Sequence, residues 1–285
     1  MMLRPFFSYL GSKWKVAPRY PKPNHDVIIE PFAGSAGYAL RYPANQVILV
    51  EANPKIAEVW RYLISVHPSE IRRIPTCEHV EDLPSWVPEA AEYLVGFHLN
   101  RANVRPCQNI SAGEKAKLEG CGGWTSASRE RIASQVEAIR HWRIIEGDYT
   151  VAPTIAATWF VDPPYQNKGY AYDFGSKLLD YTVLARWCRA RRGLTIVCEN
   201  QGARWLPFRK FATLGPNNVN RSAGSKEVVW INRMSEPPKN ERQLVTLASM
   251  IGLSRALEIL TDERAQLDSG RRLSHHRSTK CELVV

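Results

Sequence analysis

No two of the six cysteines stand in a CxxC pair: Cys77, Cys107, Cys121, Cys188, Cys198 and Cys281 are scattered along the chain. That spacing excludes a zinc finger and a disulfide-framed secreted domain, and reads as reduced thiols with no metal site. No apolar run approaches the roughly 20 residues that span a bilayer. Residues 1–19 are too broken by Arg, Lys and Ser for a signal peptide. The dinucleotide fingerprint GxGxxG is missing, as are internal repeats. Acids fall short of bases, with 28 Asp+Glu against 38 Lys+Arg and a formal net charge of +10. The sequence therefore predicts a soluble intracellular protein, globular at 44% hydrophobic residues. The excess of bases suits a polyanion such as nucleic acid, although a merely basic soluble protein has the same balance.

What is present is a run of strand and helix signals. "VIIE" at 27–30 is a short apolar run ending in an acid, "PFAGSAGYAL" turns into a helical pattern, and "VILV" at 47–50 ends at Glu51. Residues 52–66 carry Ile56, Val59, Trp60 and Leu63 on one helical face. This succession is a βαβ start and predicts a parallel sheet. Residues 89–99 and 126–141 read as helices. Residues 142–148 lead into an apolar strand ending at Asp162. A helix over 178–189 precedes the buried strand "LTIVCEN", and the last strands fall at 205–214 and 226–232, with the polar loop "GPNNVNRSAGS" between them. Pro237 and Pro238 mark a linker, followed by an amphipathic stretch over 242–260 and a basic tail with His275 and His276. The expected domains are a doubly covered α/β unit of residues 1–67 and 140–234, an inserted helical and loop region of 68–139, and an appendage of 239–285.

Two stretches carry chemistry. In "EPFAGSAG", Gly34 and Gly37 let the backbone turn sharply and let a ligand approach the main chain. Glu51, 17 residues after Gly34, is placed at a strand tip where an acid holds ribose hydroxyls. The carboxylate of Glu30 and the ring of Pro31 suit a phosphate poorly, so an adenosine carrying a cation fits better, and S-adenosyl-L-methionine is such a ligand. An ordinary βα turn with chance glycines is the alternative. The second stretch is Asp162-Pro163-Pro164-Tyr165 at another strand end. The prolines fix φ and offer no N–H, so carboxylate and carbonyls form a stiff acceptor-only surface for an exocyclic amine. Tyr165 offers a flat face to a purine. A proline turn capped by aspartate is the alternative.

"DPPY" resembles the catalytic motif of amino-methylating DNA methyltransferases, and "EPFAGSAG" is similar to their cofactor motif. "FFSYLGSK", residues 6–13, resembles the N-terminal element of the DNA adenine methyltransferase (Dam-like) family, with Tyr9 for the usual Trp and Ser12 for a Gly. Glu51 stands where an Asp is common. The resemblance covers about residues 4–232. It implies a Rossmann-like S-adenosylmethionine methyltransferase sheet with helices on both faces, a small inserted target-recognition region, and methyl transfer to N6 of a flipped-out adenine in double-stranded DNA. It implies a cytoplasmic protein of a bacterium or phage-infected host, a monomer or weak dimer with no membrane partner.

By the same resemblance the cofactor is lined by Tyr9, Gly11, Lys13, Glu30, Pro31, Phe32, Gly34, Ser35, Gly37, Glu51, Asp148, Tyr149 and Asp162, with "EGDY" supplying the acid near its adenine. Candidates for DNA contact are Arg101, Arg105, Lys115, Lys117, Trp124, Arg129 and Arg131 in or after the variable region, Asn167, Lys168 and Tyr170 after the catalytic turn, and Arg221 and Lys226. "RPCQN" at 105–109 contains the Pro-Cys-Gln of cytosine-C5 enzymes, but Cys107 follows no buried strand end and lies in the wrong order, so it is read as coincidence. N4-cytosine methylation and a catalytically silent DNA-binding relative are the alternatives.

Overall fold

The structure is a computed structural model that describes residues 2–101, 103–117, 123–167, 169, 172–213 and 226–234. The linker, the 242–260 stretch and the basic tail expected from the sequence lie outside the described residues. So do Cys121, Cys281, Lys168, Tyr170 and Arg221.

A seven-stranded, mostly parallel sheet forms the centre. Its strands are β1 (Val27–Glu30), β2 (Gln46–Glu51), β3 (Arg143–Glu146), β4 (Thr158–Val161), β5 (Gly193–Asn200), β6 (Arg209–Thr213) and β7 (Lys226–Met234). They lie in the order β3-β2-β1-β4-β5-β7-β6. The pairs from β3 through β5 are parallel, whereas β7 runs antiparallel to both β5 and β6. The apolar runs of β1, β2, β4 and β5 are buried throughout, as strands covered on both faces must be. Alternation divides their side chains. Ile28 and Phe160 enter one core with Phe6, Phe7, Tyr38 and Trp60, while Ile29, Trp159 and Val161 enter a second core on the other face.

Helices α1 (Pro54–Ser65), α2 (Pro68–Arg73), α3 (Glu89–Leu99), α4 (Ala112–Lys115) and α5 (Ser126–Ala133) precede β3, and α6 (Tyr181–Arg189) follows β4. α1 starts where Asn53 caps the Lys55 N–H at 3.0 Å with Pro54 in its first turn, and it buries the four residues its periodicity marked. Residues 68–139 share the first core rather than building one of their own: Ile71, Leu94, Phe97 and Ile132 pack into it with Trp60.

Four expectations from the sequence change. Residues 31–42 form turns and a single 3-10 turn, Ala39–Arg41, instead of a crossover helix. Gly34 and Ala36 sit at φ +47° and +50°, which no helix accommodates. Residues 143–146 make a separate edge strand beside β2 instead of running into β4. The 126–141 helix stops at Ala133 and resumes as the 3-10 turn Val136–Ile139. α6 begins at Tyr181, because the Asp180 side chain caps the Thr182 and Val183 N–H groups.

Candidate active site

β1 connects to β2 on one side and β4 to β5 on the other, so the strand order reverses between β1 and β4. The carboxyl ends of strands at such a reversal open a crevice. The glycine turn leaves the end of β1, and Asp162 follows the last residue of β4.

The N-terminal segment packs against the glycine turn. A Cβ on Gly34 would meet the Tyr9 ring at 3.1 Å, and one on Gly37 would meet the Trp14 and Lys13 backbone nitrogens at 2.6 and 2.8 Å. The close approach that Gly37 permits is thus made by the chain's own residues 13–14, not by a ligand. Ser35 donates to the Ser12 hydroxyl at 2.9 Å. Gly11, at φ +81°, leaves room for the Tyr172 hydroxyl, which donates to the Leu10 carbonyl at 3.1 Å. Tyr9 packs between Phe97 and Tyr172.

Lys13 carries this segment into the proline corner. Its Nζ lies 2.8 Å from both oxygens of Asp162 and donates to Oδ2 and to the Gly11 carbonyl, leaving Oδ1 buried and without a hydrogen bond among the described residues. Burial works against the ammonium, but the Asp162 and Glu227 carboxylates more than offset it and hold the Lys13 pKa above its usual value. Burial raises Asp162 to about 6; Lys13 opposes that rise and Glu227 adds to it. The Lys13 Nζ also lies 4.9 Å from the centre of the Tyr165 ring. Asp162, Cys198 and Glu227 bring ligand atoms within 4.8 Å of one another, but the ammonium of Lys13 already supplies positive charge there.

The turn after Asp162 is fixed at several points. Tyr165 donates its hydroxyl to Glu227, Tyr181 donates to the Pro164 carbonyl at 2.5 Å, and the Gln166 N–H reaches Glu199 Oε2 at 3.1 Å. One lone pair of the Pro164 carbonyl is therefore taken. None of Tyr172, Tyr181, Glu199 or Glu227 was singled out in the sequence. The available signal for Glu227 was an acid opening the apolar strand "KEVVWIN" and sharing a face with Val229 and Ile231.

The acids of the glycine turn face inward. Glu30 is 2% exposed and accepts the Ala39 N–H at 2.6 Å; burial lifts its pKa to about 8. Burial thus disfavours the charge on Glu30, which weakens the expected repulsion of a phosphate. Pro31 is buried beside it. Glu51 takes the Gly34 N–H on one oxygen and the Asn53 N–H on the other, each at 2.9 Å, and joins the tip of β2 to the turn. Each oxygen keeps a second lone pair for a hydroxyl. Phe32 stacks on Tyr149 with centroids 5.6 Å apart, and the exposed Asp148 accepts the Thr150 N–H at 2.8 Å.

The expected DNA contacts divide. Trp124 is 2% exposed and packs edge-on against the buried His98, so it belongs to the core and offers no face to DNA. Arg129 donates to the Arg72 and Ile74 carbonyls, closing the end of α2, and Arg131 donates to the Pro5 carbonyl; both are half-buried structural ties. Arg101 and Lys117 pair with the buried Glu114, and Lys115 with Glu78. Arg105 reaches Asp173 at 2.6 Å, joining residues 68–139 to the loop beyond the proline corner. Asn167 and Lys226 are exposed. Cys107 is half-buried, and its backbone N–H donates to the Gly96 carbonyl of α3.

No protein-family model matches this chain, and no curated protein matches it.

Proposed function

We propose that this protein transfers a methyl group from S-adenosylmethionine to the N6 amine of an adenine flipped out of double-stranded DNA, on a Rossmann-like sheet. The observation that carries the reading is the half-buried Asp162 carboxylate at the strand-order reversal, with Lys13 Nζ 2.8 Å from both oxygens but hydrogen-bonded only to Oδ2 among the described residues. An acceptor with hydrogen-bonding capacity left over beside a rigid proline turn suits an N–H of an exocyclic amine. The run β3-β2-β1-β4-β5 follows the order of nucleotide-binding α/β sheets up to that reversal. Glu51, Phe32, Tyr149 and Asp148 at neighbouring strand ends suit an adenosine: hydroxyls on Glu51, a ring beside Phe32 and Tyr149, an amine on Asp148. The net charge of +10 suits DNA. No helix among the described residues is long and apolar enough to cross a membrane.

The residues act as follows. The adenine amine is a poor nucleophile because its lone pair is delocalised into the ring. Asp162 Oδ1 accepts one amine N–H and the Pro163 carbonyl takes the other, while Tyr181 fixes the turn through the Pro164 carbonyl. These bonds localise the lone pair on nitrogen. The bound cofactor supplies an electrophilic methyl group on a positively charged sulfur. In the transfer the N–C bond would form as the sulfur–methyl bond breaks, leaving a neutral thioether, and the nitrogen would shed its proton toward Asp162. Tyr165 presents its ring to the extruded base and recovers part of the flipping cost of a few kcal/mol. Lys13 keeps Asp162 ionised against burial, and positioning supplies most of the acceleration.

The test is incubation of the full chain with isotopically labelled S-adenosylmethionine and unmethylated duplex DNA, followed by mass analysis of nucleosides. Labelled N6-methyladenine is expected, and kcat/KM should rise with pH through about 6 as Asp162 ionises. Labelled N4-methylcytosine, or no label in DNA, would overturn the assignment.

A further inference from the structure

We propose that Glu227 is a positioning residue: its carboxylate, delivered by the reversed strand β7, orients the Tyr165 ring and the Lys13 ammonium around Asp162. The topology explains how so distant a residue arrives. Because β7 is antiparallel to β5, its first residues lie at the edge where the parallel strands end, and Glu227 pairs in register with Asn200 at the end of β5. Glu227 is 2% exposed. Its Oε1 accepts from the Tyr165 hydroxyl and from Tyr20 at 3.3 Å, and lies 3.7 Å from Lys13 Nζ. A buried carboxylate is kept only where such partners hold it.

Tethering the tip of Tyr165 fixes which way its face points, and that face must lie parallel to the base. The second carboxylate also stops Lys13 from being governed by Asp162 alone. Beside Glu227, the groups facing Asp162 are Lys13 from the N-terminal segment, Glu30 from β1, Tyr165 from its own turn, and Cys198 and Glu199 from β5, with the Tyr20 and Tyr172 phenols behind them. Of the charged ones, Glu227 shares Lys13 with Asp162 directly.

The kinetic part of this inference rests on the methyl-transfer reading; the titration part does not. Glu227→Gln keeps an oxygen acceptor for both phenols and removes the charge. In full-length protein carrying a 13C label at the Asp carboxyls, the Asp162 titration should move to lower pH in Glu227→Gln and should not move down in Tyr165→Phe. In methyl transfer, Glu227→Ala should lower kcat about 100-fold with the cofactor KM nearly unchanged, and Glu227→Gln should restore most of it. An Asp162 titration unmoved in Glu227→Gln, or equal kcat losses in the Gln and Ala variants, would overturn the proposal. Wild-type protein that methylates no DNA defeats the functional reading instead, and the titration still decides Glu227.

Discussion

At the carboxyl edge of the sheet the charges are largely buried and shared; on residues 68–139, apart from Glu114 with Arg101 and Lys117, the ion pairs are exposed and separate. Lys13 serves Asp162 and Glu227 together, and burial shifts both Asp162 and Glu30 upward. Arg72–Glu130 and Lys115–Glu78 are ordinary surface pairs. Two unit charges 4 Å apart interact by about 1 kcal/mol in water and about 4 kcal/mol where the effective dielectric constant is 20. The first region concentrates electrostatic effects in a few atoms, and the second disperses them. The proposed methyl transfer draws on the first.

The sharpest way to break that contrast is Asp162→Asn, which keeps shape and removes charge. Methyl transfer should fall by about 1,000-fold in single-turnover assays, with the fold retained by circular dichroism; near-wild-type turnover would refute the mechanism. Gly37→Ala comes next. Its Cβ would stand 2.6 Å from the Trp14 nitrogen, forcing residues 13–14 off the turn and carrying Lys13 away from Asp162. A loss of about 100-fold in turnover is expected.

The third test concerns stability. Glu30 has its pKa raised by burial from 4.5 to about 8. The folded state binds this proton more tightly than the unfolded chain. Its contribution is therefore fully present below about 4.5 and is lost as pH rises through about 8. Denaturant titrations should show wild type losing stability over that window by on the order of a few kcal/mol relative to Glu30→Gln; parallel pH profiles would sink the claim. Arg72→Ala, in the exposed region, should leave the thermal midpoint unchanged within error. Cys107→Ser should leave methyl transfer unchanged, and loss of turnover there would reopen a thiol mechanism.

The same contrast governs what was readable in the sequence. The strands, the α1 face and the two turns were legible because buried strands and tight corners permit few residues: "VIIE", "VILV" and "DPPY" carry their constraints locally. The missing crossover helix was hidden because φ +50° at Ala36 leaves no mark in the residue type. Trp124, Arg129 and Arg131 looked like a nucleic-acid surface because an arginine donating to backbone carbonyls is spelled like one facing phosphate. Glu227 could be read as a buried acid opening an apolar strand, but not as part of the site. Its partners Lys13, Tyr20 and Tyr165 converge only through the reversed strand, and no local pattern encodes that meeting.

The reversal of β7 also sets an order in time. The five parallel strands, the glycine turn and the proline corner are all synthesised by residue 200, yet the carboxylate that ties Tyr165 follows only at 227. A nascent chain halted before that residue carries the whole motif with its tyrosine untethered. Long-range closures of this kind form late and slowly. Among the described strands β7 is the last to be synthesised, so the corner around Asp162 is complete only once it has paired with β5.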